Sequence, residues 1–177
     1  MRLEGNQIYL RLLCPDDASS EYAAWLNDPL VNQYLESRWK HYTVDDVRSY
    51  IASVNDGRAN FLFGMFESAS GRHIGNIKLG GIHPVYRYGD IGLLIGDRQC
   101  HGKGIGTEAI RLCCRAAFEC LNLHKVTAGL YQPNMGSLRS FEKNGFRQVG
   151  TWRQHVFVGG SYVDVLLMEL LREEFRP

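Results

Sequence analysis

The apolar positions of the chain change period several times, and each change marks an element. Gln7-Ile8-Tyr9-Leu10-Arg11-Leu12 alternates polar and apolar with period two, the pattern of a half-buried strand. Pro15-Asp16-Asp17-Ala18 puts acids where a helix begins, and the helical pattern runs to Trp25-Leu26. It stops before Asn27-Asp28-Pro29, because a residue ahead of proline avoids the helical region. Tyr34 to Tyr42 is aromatic-rich and without period. Thr43 is placed to cap a second helix, with Val44, Val47, Tyr50, Ile51 and Val54 on one face and an end near Asn55-Asp56-Gly57.

The middle of the chain reads as strands. Asn60 to Phe66 is a nearly continuous apolar run, as a central strand shows; Ser70-Gly71 turns it into His73 to Leu79. After a loop at His83-Pro84, Tyr88 to Gly96 is a further strand. Ile105 to Leu121 has the strongest helical spacing, with Ala109, Cys113, Ala116, Ala117 and Cys120 in register. A strand over Lys125–Tyr131 follows. Asn134 or Ser137 then begins a helix closed by Lys143-Asn144-Gly145, where Gly145 suits the left-handed C-terminal position. Phe146 to Val158 and Ser161 to Leu171 form a hairpin turning at Gly159-Gly160. The order β-α-α-β-β-β-α-β-α-β-β predicts an α/β (α+β) fold.

Composition narrows the class. The 177 residues are 45% hydrophobic and 22% charged, ordinary values for a globular chain and not for a disordered one. That length predicts one domain over residues 1–177. Twenty basic against nineteen acidic residues leave a net charge of +1, without the basic excess of a nucleic-acid-coating domain. No apolar run reaches the ~18 residues of a membrane helix, and the first residues lack a signal peptide's apolar stretch. A cytoplasmic protein with neither nucleic-acid nor membrane partner is expected. Five cysteines without any C-x-x-C read as small buried hydrophobes in a reducing compartment, and no metal ligand set is visible.

The segment richest in chemistry is His101-Gly102-Lys103-Gly104-Ile105-Gly106-Thr107, between a strand and the best helix. Three glycines let backbone approach a ligand closely. The first amides of the helix have no partner within it, and with the helix dipole they suit a pyrophosphate. A P-loop needs Ser or Thr directly after Gly-Lys, whereas Gly104 follows Lys103. A dinucleotide fingerprint can be laid on Gly104, Gly106 and Ala109, but the next strand, Lys125–Tyr131, lacks the ribose-binding acid.

His101-x-x-Gly104-x-Gly106 resembles the acyl-coenzyme A pyrophosphate loop, Arg/Gln-x-x-Gly-x-Gly/Ala, of the GNAT superfamily of N-acetyltransferases, with histidine in the first position. Asn134-x-x-Ser137-x-x-x-Phe141-Glu142-Lys143-Asn144-Gly145-Phe146 resembles its second signature. The opening strand, Trp25-Leu26-Asn27-Asp28-Pro29 and Asp90 to Gly96 are most similar to the RimJ/RimL-type branch. The resemblance implies a central mixed sheet of about seven strands, splayed at the cofactor cleft and flanked by about four helices. It implies acetyl-CoA as co-substrate and direct attack by an amine, with no metal and no covalent enzyme intermediate. The strand Leu93-Leu94-Ile95 is expected to pair its backbone with the pantetheine arm, with Leu94 and Ile95 lining it, His101, Gly102, Lys103, Gly104, Ile105, Gly106 and Thr107 the pyrophosphate, and Asn134, Ser137 and Phe141 the rest of the cofactor.

The superfamily often has a tyrosine acid seven residues after the signature asparagine, and here that residue is Phe141, which cannot donate. Tyr131, Ser137, Ser140 or solvent are the substitutes. Asp90 is the candidate base, acting through a water, with His83 second. Tyr34 to Tyr42, carrying Glu36, Arg38 and Trp39, is expected to wall the acceptor site. The resemblance implies a small-molecule amine or a peptide N-terminus as acceptor, with an amino group on a nucleotide-linked sugar among the relatives' substrates. The missing tyrosine leaves a non-catalytic acyl-CoA sensor or scaffold as the alternative, and the C-terminal hairpin is a candidate homodimer surface.

Overall fold

The computed structural model describes residues 1–177. Its strands are β1 (Arg2–Glu4), β2 (Ile8–Leu12), β3 (Phe61–Glu67), β4 (His73–His83), β5 (Tyr88–Ile95), β6 (Lys125–Tyr131), β7 (Arg147–Val158) and β8 (Ser161–Leu171). Its α-helices are α1 (Ser20–Asn27), α2 (Pro29–Asn32), α3 (Val44–Val54), α4 (Ile105–Arg115) and α5 (Met135–Glu142). The strands form one open sheet in the order β1-β2-β3-β4-β5-β6-β8-β7. Every neighbouring pair is antiparallel except β5 and β6, which are parallel and joined across α4.

The mixed sheet and flanking helices match the expected class, with one strand and one helix more than the pattern predicts. β1 is too short to alternate visibly; it pairs with β2 through Leu3↔Leu10. α2 starts directly at Pro29, the position where a missing N–H costs nothing, and Asp28 caps it by accepting from Leu30 N at 2.9 Å. The first long helix starts at Ser20 and not at Pro15. Asp17 turns back to accept from Cys14 N and pairs with both terminal nitrogens of Arg11, at 2.8 and 2.6 Å, so Pro15–Asp17 closes as a 3₁₀ turn. Ser19 then caps α1 through Tyr22 N. The aperiodic aromatic stretch contains a single 3₁₀ turn, Glu36–Trp39. α4 continues as a π turn to Cys120.

Two cores lie on opposite faces of the sheet. The larger gathers Phe63, Ile77, Ile91, Ile110, Cys113, Phe118 and Phe141 beneath α4 and α5; the smaller gathers Tyr22, Trp25, Val47, Ile51 and Leu94 beneath α1 and α3. No helix is long and apolar enough to cross a membrane.

One buried charge joins the start of the chain to the start of α4. Glu108 is 5% exposed, and its carboxylate accepts from Asn6 N, from Gln7 N at 3.1 Å and from Gln7 Nε2 at 3.3 Å. Removing it strands those donors. Bonds to a charged group are worth about 1.5–3 kcal/mol, so Glu108→Ala should lower unfolding free energy by about 2–3 kcal/mol in a urea titration. A loss below about 0.5 kcal/mol, the scale of an ordinary surface change, excludes this anchoring role.

Candidate functional site

The sheet parts at its only parallel pair. β5 and β6 are in register only at Tyr88↔Lys125, Gly89↔Val126 and Asp90↔Thr127, after which they diverge. β4 stays paired with β5 out to Ile95, and β8 with β6 out to Tyr131, so each strand is held on its outer side while the inner edges open into a V. Gly96 N donates to Ile74 O at 2.9 Å, which sets the alternation of the β4–β5 ladder. By that alternation Leu94 bonds back to β4, while Leu93 and Ile95 turn their backbone groups into the V. Of the three strand residues expected at the cofactor, Leu94 instead has its side chain in the smaller core, while Leu93 and Ile95 keep theirs on the α4 side.

At the mouth of the V the chain enters α4. The six amides from Gly102 to Thr107 donate to no protein acceptor, and the first bond of the helix is Glu108 N to Gly104 O at 3.0 Å. Gly104 has φ +84°, a conformation that costs a side-chain-bearing residue about 1–2 kcal/mol. Six open N–H groups at the positive end of a helix fit a pyrophosphate. Lys103 is exposed beside them. His101 turns one ring nitrogen away from these amides: Nε2 lies 3.0 Å from Ile95 O, which can only accept, so that nitrogen's hydrogen is held by the backbone.

α5 flanks the same side. Asn134 caps it by accepting from Ser137 N at 3.2 Å, leaving Asn134 Nδ2 unpartnered. Asn144 Nδ2 donates to Thr107 O at 3.0 Å and Ser140 O at 2.8 Å, fixing α5 against the first turn of α4. Ser140 Oγ donates to Gly136 O at 2.9 Å and sits with the side chains of Leu93 and Ile95 around Gly106. Phe141 is corrected: it is fully buried, its ring edge-on to Phe146 at 4.9 Å, and presents no surface to a cofactor.

The opposite face of the V carries Asp90, Thr127, Gly129 and Tyr131. Thr127 Oγ1 donates to Asp90 Oδ2 at 3.1 Å, while Asp90 Oδ1 has no protein partner. Asp90 keeps exposed surface, but it lies in the floor between strands, and that loss of water pushes its carboxyl up from the ordinary 3.8. Tyr131 stands four residues further along β6, about 13 Å from Thr127 at ~3.3 Å per residue. Its hydroxyl donates to Glu36 and accepts from Arg38 Nη1 at 3.1 Å. Burial, followed by Glu36, pushes the phenol above its ordinary value. A proton already committed to Glu36 withdraws Tyr131 from the acid role.

Arg38 continues across the mouth: its guanidinium lies over Trp39 at 4.2 Å, and Nη2 donates to Phe157 O at the tip of the β7–β8 hairpin at 3.0 Å. Behind it a cleft of about 490 Å³ opens between the α2 region and that hairpin, with Arg38, Trp39 and Phe157 in its walls. His83 is not part of this geometry. It sits at the β4–β5 turn beyond the closed end of the V, stacked on Tyr86 at 4.4 Å, with Nδ1 accepting from Tyr86 N. Glu108 is the site-forming residue that the sequence passed over; an acid four residues after Gly104 was the available signal.

The raised carboxyl of Asp90 has a stability consequence. The folded state holds that proton more tightly than the unfolded one, so stability falls as pH rises from about 3.8 through the raised value. Asp90→Asn should therefore melt higher than the parent at pH 7, with the gain fading below pH 4. An unchanged or lower melting temperature at pH 7 contradicts the strain assigned to this carboxylate.

Comparison with known proteins meets this geometry from the other side. The acetyltransferase (GNAT) domain family matches residues 7–147. The protein named Probable N-acetyltransferase YjcK, from Bacillus subtilis (strain 168), is 32% identical over 182 residues, covering 97% of this chain and 98% of its own. Among solved structures, the spermidine N-acetyltransferase from Vibrio cholerae, in complex with CoA and spermine, superposes with a TM-score of 0.85 at 23% identity, over 96% of this chain and 98% of that one. The ribosomal-protein-S5-alanine acetyltransferase from Vibrio fischeri superposes at 0.79 with 19% identity over the whole of both chains. With a splayed strand pair, an amide-lined helix start and a family match across most of its length, the chain belongs to the GNAT family and is an acetyl-CoA-dependent N-acetyltransferase that acts on an amine.

Proposed function

We propose that residues 1–177 form one acetyltransferase domain of the RimJ/RimL-type branch, in which the two substrates approach the V from opposite faces of the sheet. The observation that carries this reading is the end of β5–β6 pairing after Asp90↔Thr127, directly beside six unpartnered amides. Gly102 to Thr107 hold the pyrophosphate by their N–H groups, with Lys103 adding charge. Leu93 and Ile95 offer backbone groups to the pantetheine arm, and Asn134, Ser137 and Ser140 close the α5 side. Bound there, acetyl-CoA supplies the acetyl thioester and a thiolate leaving group.

The acceptor enters over Glu36, Arg38 and Trp39. Asp90 Oδ1, raised in pKa and free of protein partners, takes the amine's proton through a chain of waters along the V, because the Ile95 end of β5 lies five residues, about 16 Å, away. The Ile95 N–H polarises the carbonyl as the carbon–nitrogen bond forms. The carbon–sulfur bond then breaks. A thiol of pKa about 8.5 leaves without a strong acid, and Ser140, turning from Gly136, relays a solvent proton to sulfur. Acceptors named for related folds are spermidine and the ribosomal protein S5 alanine. For this chain the reading is a small-molecule amine or a peptide N-terminus. Five unpaired cysteines and the need for acetyl-CoA suit a cytoplasmic enzyme. The edge strand β7, with Val149 and Trp152 exposed, is the surface for a second copy.

Two measurements test these assignments. Acetyl-CoA at ~100 times its dissociation constant adds about 2.7 kcal/mol of stability, visible as a rise in melting temperature. Gly104→Val with Gly106→Val should abolish that rise in a protein that still melts cooperatively; a retained rise removes the loop assignment. Asp90→Asn should lower kcat by about 10²-fold or more, the scale of general-base catalysis, with acetyl-CoA affinity unchanged. A kcat within threefold of the parent takes the base role from Asp90.

A further inference from the structure

The acceptor-side cleft carries an unused cationic clamp. Its walls contain Arg38, Lys40 and His41 and not one aspartate or glutamate. Lys40 is already paired, its Nζ 3.0 Å from Asp46 at the rim. Glu36 is spent on the Tyr131 hydroxyl. Arg38 is different: its partners are oxygens without full charge, Leu35 O at 2.6 Å, Tyr131 Oη at 3.1 Å and Phe157 O at 3.0 Å. No carboxylate lies within ion-pair distance of it. Its plane is further fixed by stacking on Trp39.

The donor count is instructive. A guanidinium carries five N–H groups. Nη1 spends both of its hydrogens and Nη2 one, so Nε–H and one Nη2–H donate to nothing in the protein. An immobilised guanidinium with two open donors favours a carboxylate or phosphate, because no ordering entropy remains to be lost on binding. A polyamine meets the opposite situation, since no acid stands in these walls and Glu36 beside them already accepts from Tyr131.

Resting on the acceptor reading above, we propose that the amine acceptor carries an anionic group, a carboxylate or a phosphate, which Arg38 grips in this cleft while the amine reaches into the V. Arg38 is thereby a specificity-determining residue. The anion's charge meets the guanidinium; the exposed Trp39 indole offers a flat face to the acceptor's body.

The experiment measures kcat/KM for matched amines that differ only in the anion: glucosamine 6-phosphate against glucosamine, and Ala-Ala against its C-terminal amide, with spermidine as a polycation. At least one anionic member should exceed its neutral partner by tenfold or more, and the pair in which it does so identifies phosphate or carboxylate. Arg38→Gln should bring that ratio to within about twofold, with Arg38→Lys intermediate, because lysine keeps the charge and loses the planar fork. Retained stabilisation by acetyl-CoA shows that each variant is folded and its cofactor side intact. Equal use of both members of each pair, preference for spermidine, or a ratio that survives Arg38→Gln overturns the proposal and leaves the acetyl-CoA assignment standing. If acetyl-CoA fails to stabilise the parent protein, the underlying reading of the V falls with it.

Discussion

A sheet interior pairs its backbone groups, and the structure rests on the one place where this sheet does not. β5 and β6 share three residue pairs and then separate, each held to its outer neighbour along its full length. An unpartnered N–H or C=O in a dry core costs about 1–3 kcal/mol, so such an opening persists only where water or a ligand reaches it. The open edge beside the α4 amides is therefore a run of backbone groups left free for water or a ligand. It asks little of side-chain identity beyond glycines that keep the approach clear. The rest of the fold keeps the gap in place: the larger core packs α4 and α5 on one face, and Glu108 ties the β1–β2 turn to the helix start.

The two faces of the gap differ in chemistry because strand residues alternate. On the α4 side stand Leu93, Ile95 and Ser140, a neutral lining suited to an acyl thioester and its arm. On the other side stand Asp90, Thr127, Gly129 and Tyr131, with Glu36 and Arg38 reaching over from the α2 region. Gly129 leaves space between the carboxylate and the phenol. Asp90 is held where its charge is poorly hydrated, which costs stability and yields a carboxylate better matched to accept a proton. The Glu36–Tyr131–Arg38 chain couples three distant segments, since Arg38 also holds the tip of the β7–β8 hairpin. The Glu36–Arg38 segment, the end of β6 and the tip of that hairpin are thus one mechanical unit.

Much of this was legible in the letters. Period-two and period-3.6 patterns placed most strands and the helices α3, α4 and α5 near their observed bounds, because those elements bury one face and polar residues mark the other. The glycine loop pointed to a pyrophosphate because backbone approach demands residues without side chains, and acyl-CoA followed from the resemblance of that loop and of the Asn134 to Phe146 segment to the GNAT signatures. Where local pattern met a competing interaction it misled. The helix expected at Pro15 lost to the Arg11–Asp17 pair, and β1 is too short to show a period.

The sequence by itself determined the fold class, a glycine-rich turn opening a helix and the pool of groups available for chemistry, since each shows in local pattern and composition. Only the tertiary structure decided what those groups do. Phe141 is enclosed in the core, and Leu94 bonds to β4 while Leu93 faces the V. The Tyr131 proton goes to Glu36, 95 residues away, His101 turns its ring to Ile95 O, and His83 lies beyond the closed end of the gap. Each of these outcomes turns on strand register or on a contact between residues far apart in the chain. Register flips a side chain from one face to the other with a shift of a single residue, and no local periodicity encodes which neighbour a strand will take.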